Sequence, residues 1–253
     1  MSRLFWGFFY ALAFLSRVPV PWLKRTDSPV AHSSLWFYPA VGALLGALLY
    51  GLAYLAQEAR PSASVLLVAA LLLLVWVFFT GAMHLDGLAD CADAWVGGLG
   101  DKERTLAIMK DPQSGPMGVT ALVVILLLKF AALAALLELK QPSLLLGLLL
   151  IPILARTGIL TLMASLPYLR SQGLASALDN AATAPKALIL TMLTVALTLW
   201  LAPERALVLI ALWFVLLWLW RRALHQRLGG YTGDTLGAAI ELQEALLLMV
   251  LVF

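Results

Sequence analysis

Three carboxylates stand out by their spacing. Asp86, Asp90 and Asp93 fall at i, i+4 and i+7 in the run 81-GAMHLDGLADCADAWVGG-98. On a helix that spacing places all three in one row. Like charges so placed repel, so the row is costly unless a cation sits on it. The flanking Leu85, Leu88, Ala89 and Ala92 offer no polar partner. Oxygen ligands without a His or Cys cluster suit Mg²⁺, with Mn²⁺ as the second choice. Mg²⁺ held by a few carboxylates usually also carries substrate phosphates. Phosphoryl or diphosphate transfer is therefore the first chemistry to consider, with Asp86 and Asp90 at its centre. Asp111 could add a fourth carboxylate. His84, just upstream, reads as a ligand, a general base or an interfacial residue. The alternative for the whole row is a solvated helix face, but such a face would mix Lys with its Asp.

The same segment continues into 109-MKDPQSGPMG-118. Ser114 or Asp111 could cap the helix that follows, with a proline in its first turn. Free N–H groups near Gly115 and Gly118, beside Lys110, would also make an anion site. A second glycine-rich element is 229-GGYTGDTLGAAIELQE-244. Thr232, Gly233 and Asp234 form its loop, and Asp234 or Thr235 opens the last helix. Glu241 and Glu244 then lie inside an apolar stretch. Acids at membrane depth are usually paired or functional. Lys129 and Arg156 are the cations available at that depth. Buried pairs such as Glu241 with Arg156 are one reading, and a polar cavity that receives a substrate is the other.

These residues must be positioned by an unusually apolar chain. Of 253 residues, 62% are hydrophobic and 12% charged. Soluble domains are nearer half apolar and a quarter charged. The composition excludes a soluble enzyme, a disordered chain, a disulfide scaffold and a nucleic-acid-binding domain. Continuous runs such as 64-SVLLVAALLLLVWVFF-79 exclude the alternation of a transmembrane β-barrel. The expectation is an all-α, polytopic membrane bundle forming one domain over 1–253. A span needs about 20 apolar residues. Seven candidates fit: 35–56, 62–82, 117–138, 143–166, 187–202, 205–220 and 236–253. The fifth and sixth are short and joined at Pro203, Glu204 and Arg205, as a tight hairpin. Residues 3–16 suit an interfacial helix within an N-terminal segment 1–34, retained rather than cleaved as a signal peptide.

Twelve Lys and Arg fall in segments 1–34, 83–116, 167–186 and 221–235, and three (Arg60, Lys140, Arg205) in the opposite connections. The positive-inside rule puts the acidic segment 83–116 and the glycine-rich loop 221–235 in the cytoplasm. No internal repeat is evident. Cys91, the single cysteine, excludes an intramolecular disulfide and reads as a packing residue.

GAMHLDGLADCADAWVGG, MKDPQSGPMG and GYTGDTLGAAIELQE, with the early SRVPVP (16–21) and FYPAVGALLGALL (37–49), resemble the cobalamin synthase family, the adenosylcobinamide-GDP ribazoletransferases. The likeness runs from Phe5 to the C-terminus. It is specific in the combination of HLDGLAD and GDTLGA, and only general in character over 140–228. It implies a bacterial inner-membrane enzyme with its site facing the cytoplasm. It also implies the reaction of adenosylcobinamide-GDP with α-ribazole or its 5′-phosphate. The products are adenosylcobalamin or its 5′-phosphate, and GMP, with Mg²⁺ required. Asp86, Asp90, Asp93 and Asp111 would then hold the metal on the diphosphate. Arg104 and Lys110 would steady the phosphates, with Ser114, Gly115, Gly118, Thr232, Gly233, Asp234 and Glu241 as further contacts. An Asp of the row or His84 would be the base. The partners implied are the two substrates and the bilayer, with a homo-oligomer left open and no nucleic acid.

Two other classes compete. CDP-alcohol phosphotransferases and intramembrane prenyltransferases also hold Mg²⁺ with helical Asp. However, D-x3-D-x2-D with Gly87 after the first Asp does not match their usual patterns. A transporter would place its essential charges at Lys129, Arg156, Glu241 and Glu244 rather than in the row at the end of the second span.

Overall fold

The computed structural model describes residues 2–23, 26–59, 62–170, 178 and 180–253. Lys24, Arg25 and Arg60, counted above for orientation, lie outside the described residues. The chain is helical throughout, with a single isolated bridge between Tyr168 and Tyr231 among the described residues.

The spans follow the apolar stretches closely. They are α3 (Tyr38–Ala59), α4 (Val65–Thr80), α7 (Pro116–Glu138), α8 (Pro142–Ser165), α9 (Asn180–Leu201), α10 (Ala206–Arg227) and α11 (Gly233–Val252). Six of these stretches are long and apolar enough to cross a membrane. The seventh is α4, 16 residues long, continued after a break by α5 (Met83–Gly97) at 85°. The short α1 (Arg3–Leu15) and α2 (Ser28–Ser34) precede α3, and α6 (Lys102–Ile108) follows α5.

α9 and α10 are each 22 residues, longer than the apolar stretches 187–202 and 205–220 suggested. Their polar ends remain helical: Asn180 to Lys186 at the start of α9, and Arg221 to Arg227 at the end of α10. Hydrophobicity marks the part of a helix that sits in lipid, not the turns that project beyond it. The hairpin between them turns at 202–205, as its Pro and charged residues suggested.

Burial separates an inner pair from an outer ring. In α8 and α11, 83% and 72% of the apolar window is inside the protein, against 22–33% in α3, α7, α9 and α10. Small residues let the inner helices be approached. A Cβ on Gly46 of α3 would lie 2.7 Å from the Leu149 Cα of α8. Such close backbone contacts drive helix association where lipid competes equally for apolar side chains.

Inside the bundle an ionic cluster ties four helices together. Lys129 of α7 donates to Glu241 and Glu244 of α11, both at 2.6 Å. Arg156 of α8 pairs with Glu244, and the Trp76 indole of α4 donates to it at 2.9 Å. Lys129 also sits 4.6 Å over the Trp76 ring. The acids are thus paired, with Lys129 rather than Arg156 as the partner of Glu241. Lys129 lies on the helix that faces Glu241, whereas Arg156 is taken up by Glu244.

Candidate active site

The site is built on a sharp bend. Gly81 and Ala82 both have φ of 58°, so the chain reverses hand twice between α4 and α5. Such a conformation is cheap for glycine and costly for alanine. The bend is also braced from outside. Arg17, just after α1, donates its N–H to the Phe79 carbonyl at 2.9 Å. α5 therefore lies across the end of the bundle, with the Asp row on it.

Gly87 decides what α5 lies against. A Cβ there would meet the Asp234 backbone, at 2.6 Å from its carbonyl oxygen. On the partner helix, a Cβ on Gly237 would come 3.1 Å from the His84 Cα. These two glycines let α5 cross the start of α11 at backbone contact. That crossing brings the first acidic motif and the GDTLG loop together. Asp90 is repelled by Asp234 and Asp86, and this, after burial, raises its carboxyl above the ordinary value.

Asp93 faces a different neighbour. Its two carboxylate oxygens accept from the N–H groups of Gly115 (2.7 Å) and Gly118 (2.9 Å) at the start of α7. The anion at this helix start is therefore the chain's own Asp93. Neither Ser114 nor Asp111 caps α7. Ser114 is exposed, and Asp111 accepts from the Gln113 N–H two residues on. A carboxylate fixed on an adjacent helix is a strong competitor for such donors. Gly115 and Gly118 are required for the fit, since a Cβ at either would collide with the Asp93 carboxylate.

Asp234 is met by a cation that the sequence had not singled out. Arg170 pairs with Asp234, and its guanidinium also points at the Met109 carbonyl at 3.4 Å. The backbone sets this pairing. Tyr231 donates to the Pro167 carbonyl (2.9 Å), and Leu169 donates to the Tyr231 carbonyl (3.0 Å). This short bridge fixes Arg170 opposite Asp234. Arg170 had counted only as one of the cytoplasmic positives. The nearby Tyr231, inside the GYTGD motif, was the available signal that the segment paired with it mattered. Burial raises the Tyr168 phenol above its ordinary value, against a lowering by Arg170, so Tyr168 is a neutral hydroxyl at pH 7.

A cavity of about 380 Å³ opens beside this junction. Asp86, Asp234, Tyr168 and Arg17 are at its polar side, and His84 lies in its lining. Phe14, Ile159, Leu236 and Ile240 form its apolar walls. Asp86 is exposed, and Asp90 and Asp234 are partly buried.

Among the described residues no three His, Cys, Asp or Glu side chains close into a ready-made metal cage. The donor set nevertheless fits a hard cation of the Mg²⁺ type. It is all oxygen, it gathers like charges, and its partial exposure leaves room for water and substrate oxygens as further ligands. Asp86, Asp90 and Asp234 are the residues that could hold it.

The family model described as cobalamin-5-phosphate synthase matches residues 7–252. The chain belongs to this family. An adenosylcobinamide-GDP ribazoletransferase of Stutzerimonas stutzeri is 48% identical over 94% of each chain. One of Pseudomonas paraeruginosa is 48% identical over 95% of each, and one of Pseudomonas savastanoi is 44% identical over 96% of this chain and 98% of its own. No solved structure matches.

The other residues singled out in this synthase-family chain are placed as follows. Arg104 and Lys110 are exposed on and after α6. Lys110 follows Met109, whose carbonyl faces Arg170. Thr232 is fully buried and caps α11, its hydroxyl accepting from the Thr235 N–H at 3.3 Å. Gly233 lies on the cavity wall. Glu241 is only 2% exposed and engaged by Lys129, so its carboxylate belongs to the buried cluster rather than to the mouth. Cys91 is buried, in keeping with a packing role.

Proposed function

We propose that the protein is an adenosylcobinamide-GDP ribazoletransferase of the bacterial inner membrane, with its active site at the cytoplasmic mouth of the bundle. The observation that carries this reading is the crossing of α5 on α11. It brings Asp86 and Asp234 into the lining of one cavity, with Asp90 repelled by both, within a family whose relatives bear that name. The Lys and Arg excess on the segments at that end supports the cytoplasmic assignment.

In this reading Asp90 and Asp234 would hold Mg²⁺, which when bound would supply charge neutralisation to the diphosphate of the GDP-activated corrinoid. The 5′-phosphate of α-ribazole 5′-phosphate survives in the product. The nucleophile is therefore a ring hydroxyl of the ribose and not the 5′ oxygen. Its oxygen forms the new bond to the corrinoid-side phosphorus, and the bond from that phosphorus to the oxygen of GMP breaks. Asp86, the exposed carboxylate at the cavity rim, accepts the hydroxyl proton. Arg170, paired with Asp234, and Arg17, in the cavity lining, are the cations available to the phosphates, with Lys110 next to Met109. Asp93 acts one step away, by holding the start of α7 against α5.

The test is purified protein in detergent with Mg²⁺, adenosylcobinamide-GDP and α-ribazole, followed by cobalamin and GMP in equal amounts. Asp86→Asn and Asp90→Asn should each cost at least about a hundredfold in kcat/KM, within the range for lost acid–base or charge-stabilising groups. Full activity in the double variant, or activity indifferent to EDTA, would overturn the carboxylate–metal site. No product from the wild type would overturn the reaction.

A further inference from the structure

A second cavity lies apart from the acidic site. It holds about 360 Å³ and shares no lining residue with the cavity at Asp86 and Asp234. Three helices build it. Arg3 and Leu4 come from the start of α1, Ser28 and His32 from α2, and Lys186 from the first turns of α9. The junction of α1 and α2 is close. A Cβ on Gly7 of α1 would lie 2.5 Å from the Ser33 Oγ of α2, and that hydroxyl donates to the Arg3 carbonyl at 3.2 Å. The start of α1 is thus held against α2, with Arg3 exposed.

The charge around this cavity has one sign. Among the described residues no carboxylate is in its lining, and neither Arg3 nor Lys186 is ion-paired. The Lys186 ammonium donates to the Ala182 carbonyl, one turn back, at 2.7 Å. An ammonium has three donors, so others remain for a ligand. That bond also draws the charge towards the start of α9, at the end of the span. Apolar side chains stand beside the cations. Leu4 is 56% exposed and Trp36 38% exposed, and both are in the lining. Further along the neighbouring helices, Leu44 and Leu48 of α3 and Leu188 and Met192 of α9 are exposed as well.

We infer that this cavity holds the phosphate of an anionic glycerophospholipid, with Arg3 and Lys186 on the phosphate oxygens and the acyl chains along the exposed apolar flanks of α3 and α9. Lys and Arg at the ends of spans attract anionic lipid, and Trp is favoured at headgroup depth. A free phosphate would engage the same cations but would leave Leu4 and Trp36 in water, whereas a lipid covers them. α1 carries the consequence further. Its other end gives Ala13, Phe14 and Leu15 to the active-site cavity, about 18 Å along the helix from Arg3. A headgroup bound at Arg3 therefore anchors a helix that walls that cavity.

The test is native mass spectrometry of the full chain in a non-ionic detergent, titrated with phosphatidylglycerol or with phosphatidylcholine of the same chain length. The first phosphatidylglycerol should bind at least about tenfold tighter, given the attraction of two cations near a headgroup. Arg3→Gln with Lys186→Gln should bring the two lipids within about threefold. Ser28→Glu, which puts a carboxylate into the lining, should do the same if the double variant does not fold. Arg221→Gln with Arg222→Gln removes two exposed charges outside the cavity and should leave the preference within about twofold. Equal binding of the two lipids by the wild type would overturn the site. So would an equal loss in the Arg221 and Arg222 variant, which would reduce the effect to diffuse attraction. Displacement of phosphatidylglycerol by millimolar inorganic phosphate would assign the cavity to a free anion and overturn the lipid.

Discussion

At the scale of single residues, the three acids that the sequence places in one row separate into different jobs. Asp86 lines a cavity with Asp234, Asp90 is repelled by both, and Asp93 serves the N–H groups of Gly115 and Gly118. The two jobs predict opposite signatures. Asp93→Ala removes a helix cap, and should cost about 1–2 kcal/mol of stability in a denaturant or thermal titration. Asp90→Asn removes a like-charge neighbour of Asp86 and Asp234. It should leave thermal stability unchanged or slightly higher while abolishing turnover. A loss of stability equal to that of Asp93→Ala would place Asp90 in the scaffold. The buried cluster gives a third signature. Lys129→Met strands Glu241 and Glu244 with Arg156 alone, and should cost about 3–5 kcal/mol. That is far more than a surface charge change, and unfolding midpoints would reveal it.

At the scale of elements, the proposed site depends on one crossing. Gly87 and Gly237 bring α5 and α11 to backbone contact, and a Cβ at 87 would meet the Asp234 carbonyl at 2.6 Å. Gly87→Ala should therefore push the Asp row away from Asp234 and lower kcat/KM by at least about tenfold, since sub-ångström misplacement at a reacting centre is costly. The remainder of the bundle should stay folded, because α5 lies across its end. Gly46→Val, at the α3–α8 contact, should instead lower stability, with little effect on KM in whatever protein remains folded. Steady-state kinetics and thermal unfolding on both variants separate the cases. The same crossing marks what the sequence could show. The spans were legible because each needs only length and apolarity, and so was the Asp row, because its spacing is a property of one helix. Arg170 was not legible, since its importance arises from pairing across the Pro167–Tyr231 bridge, between segments more than sixty residues apart. The partner of Asp93 was hidden for the same reason: a helix start shows its free donors in sequence, but not which anion another helix will bring to it.

At the scale of the whole molecule, the apolar mass has a direction. Alternation of the spans puts the α4–α5 bend, the Asp111–Pro116 loop and the Thr232 cap at one end, and the 139–141 turn at the other. In the orientation proposed above the first end is the cytoplasmic one, on the ground that twelve Lys and Arg fall in its segments and three on the far side. This is a physical argument about insertion, and it can be tested without activity. The only native cysteine, Cys91, is buried, so it should be silent to a bulky membrane-impermeant maleimide in the folded protein. Ser114 and Gln141 are both exposed, which makes Ser114→Cys and Gln141→Cys reporters of the two ends. In inverted membrane vesicles Ser114→Cys should label and Gln141→Cys should not; in right-side-out vesicles the pattern should invert. Labelling of both from one side would mean an even number of crossings between 114 and 141, which a 23-residue apolar α7 does not allow. Labelling of Ser114→Cys from the outer face would put the carboxylate site away from the compartment that supplies GDP-activated substrates. The charge asymmetry would then have failed as a guide to which end of the bundle does the chemistry.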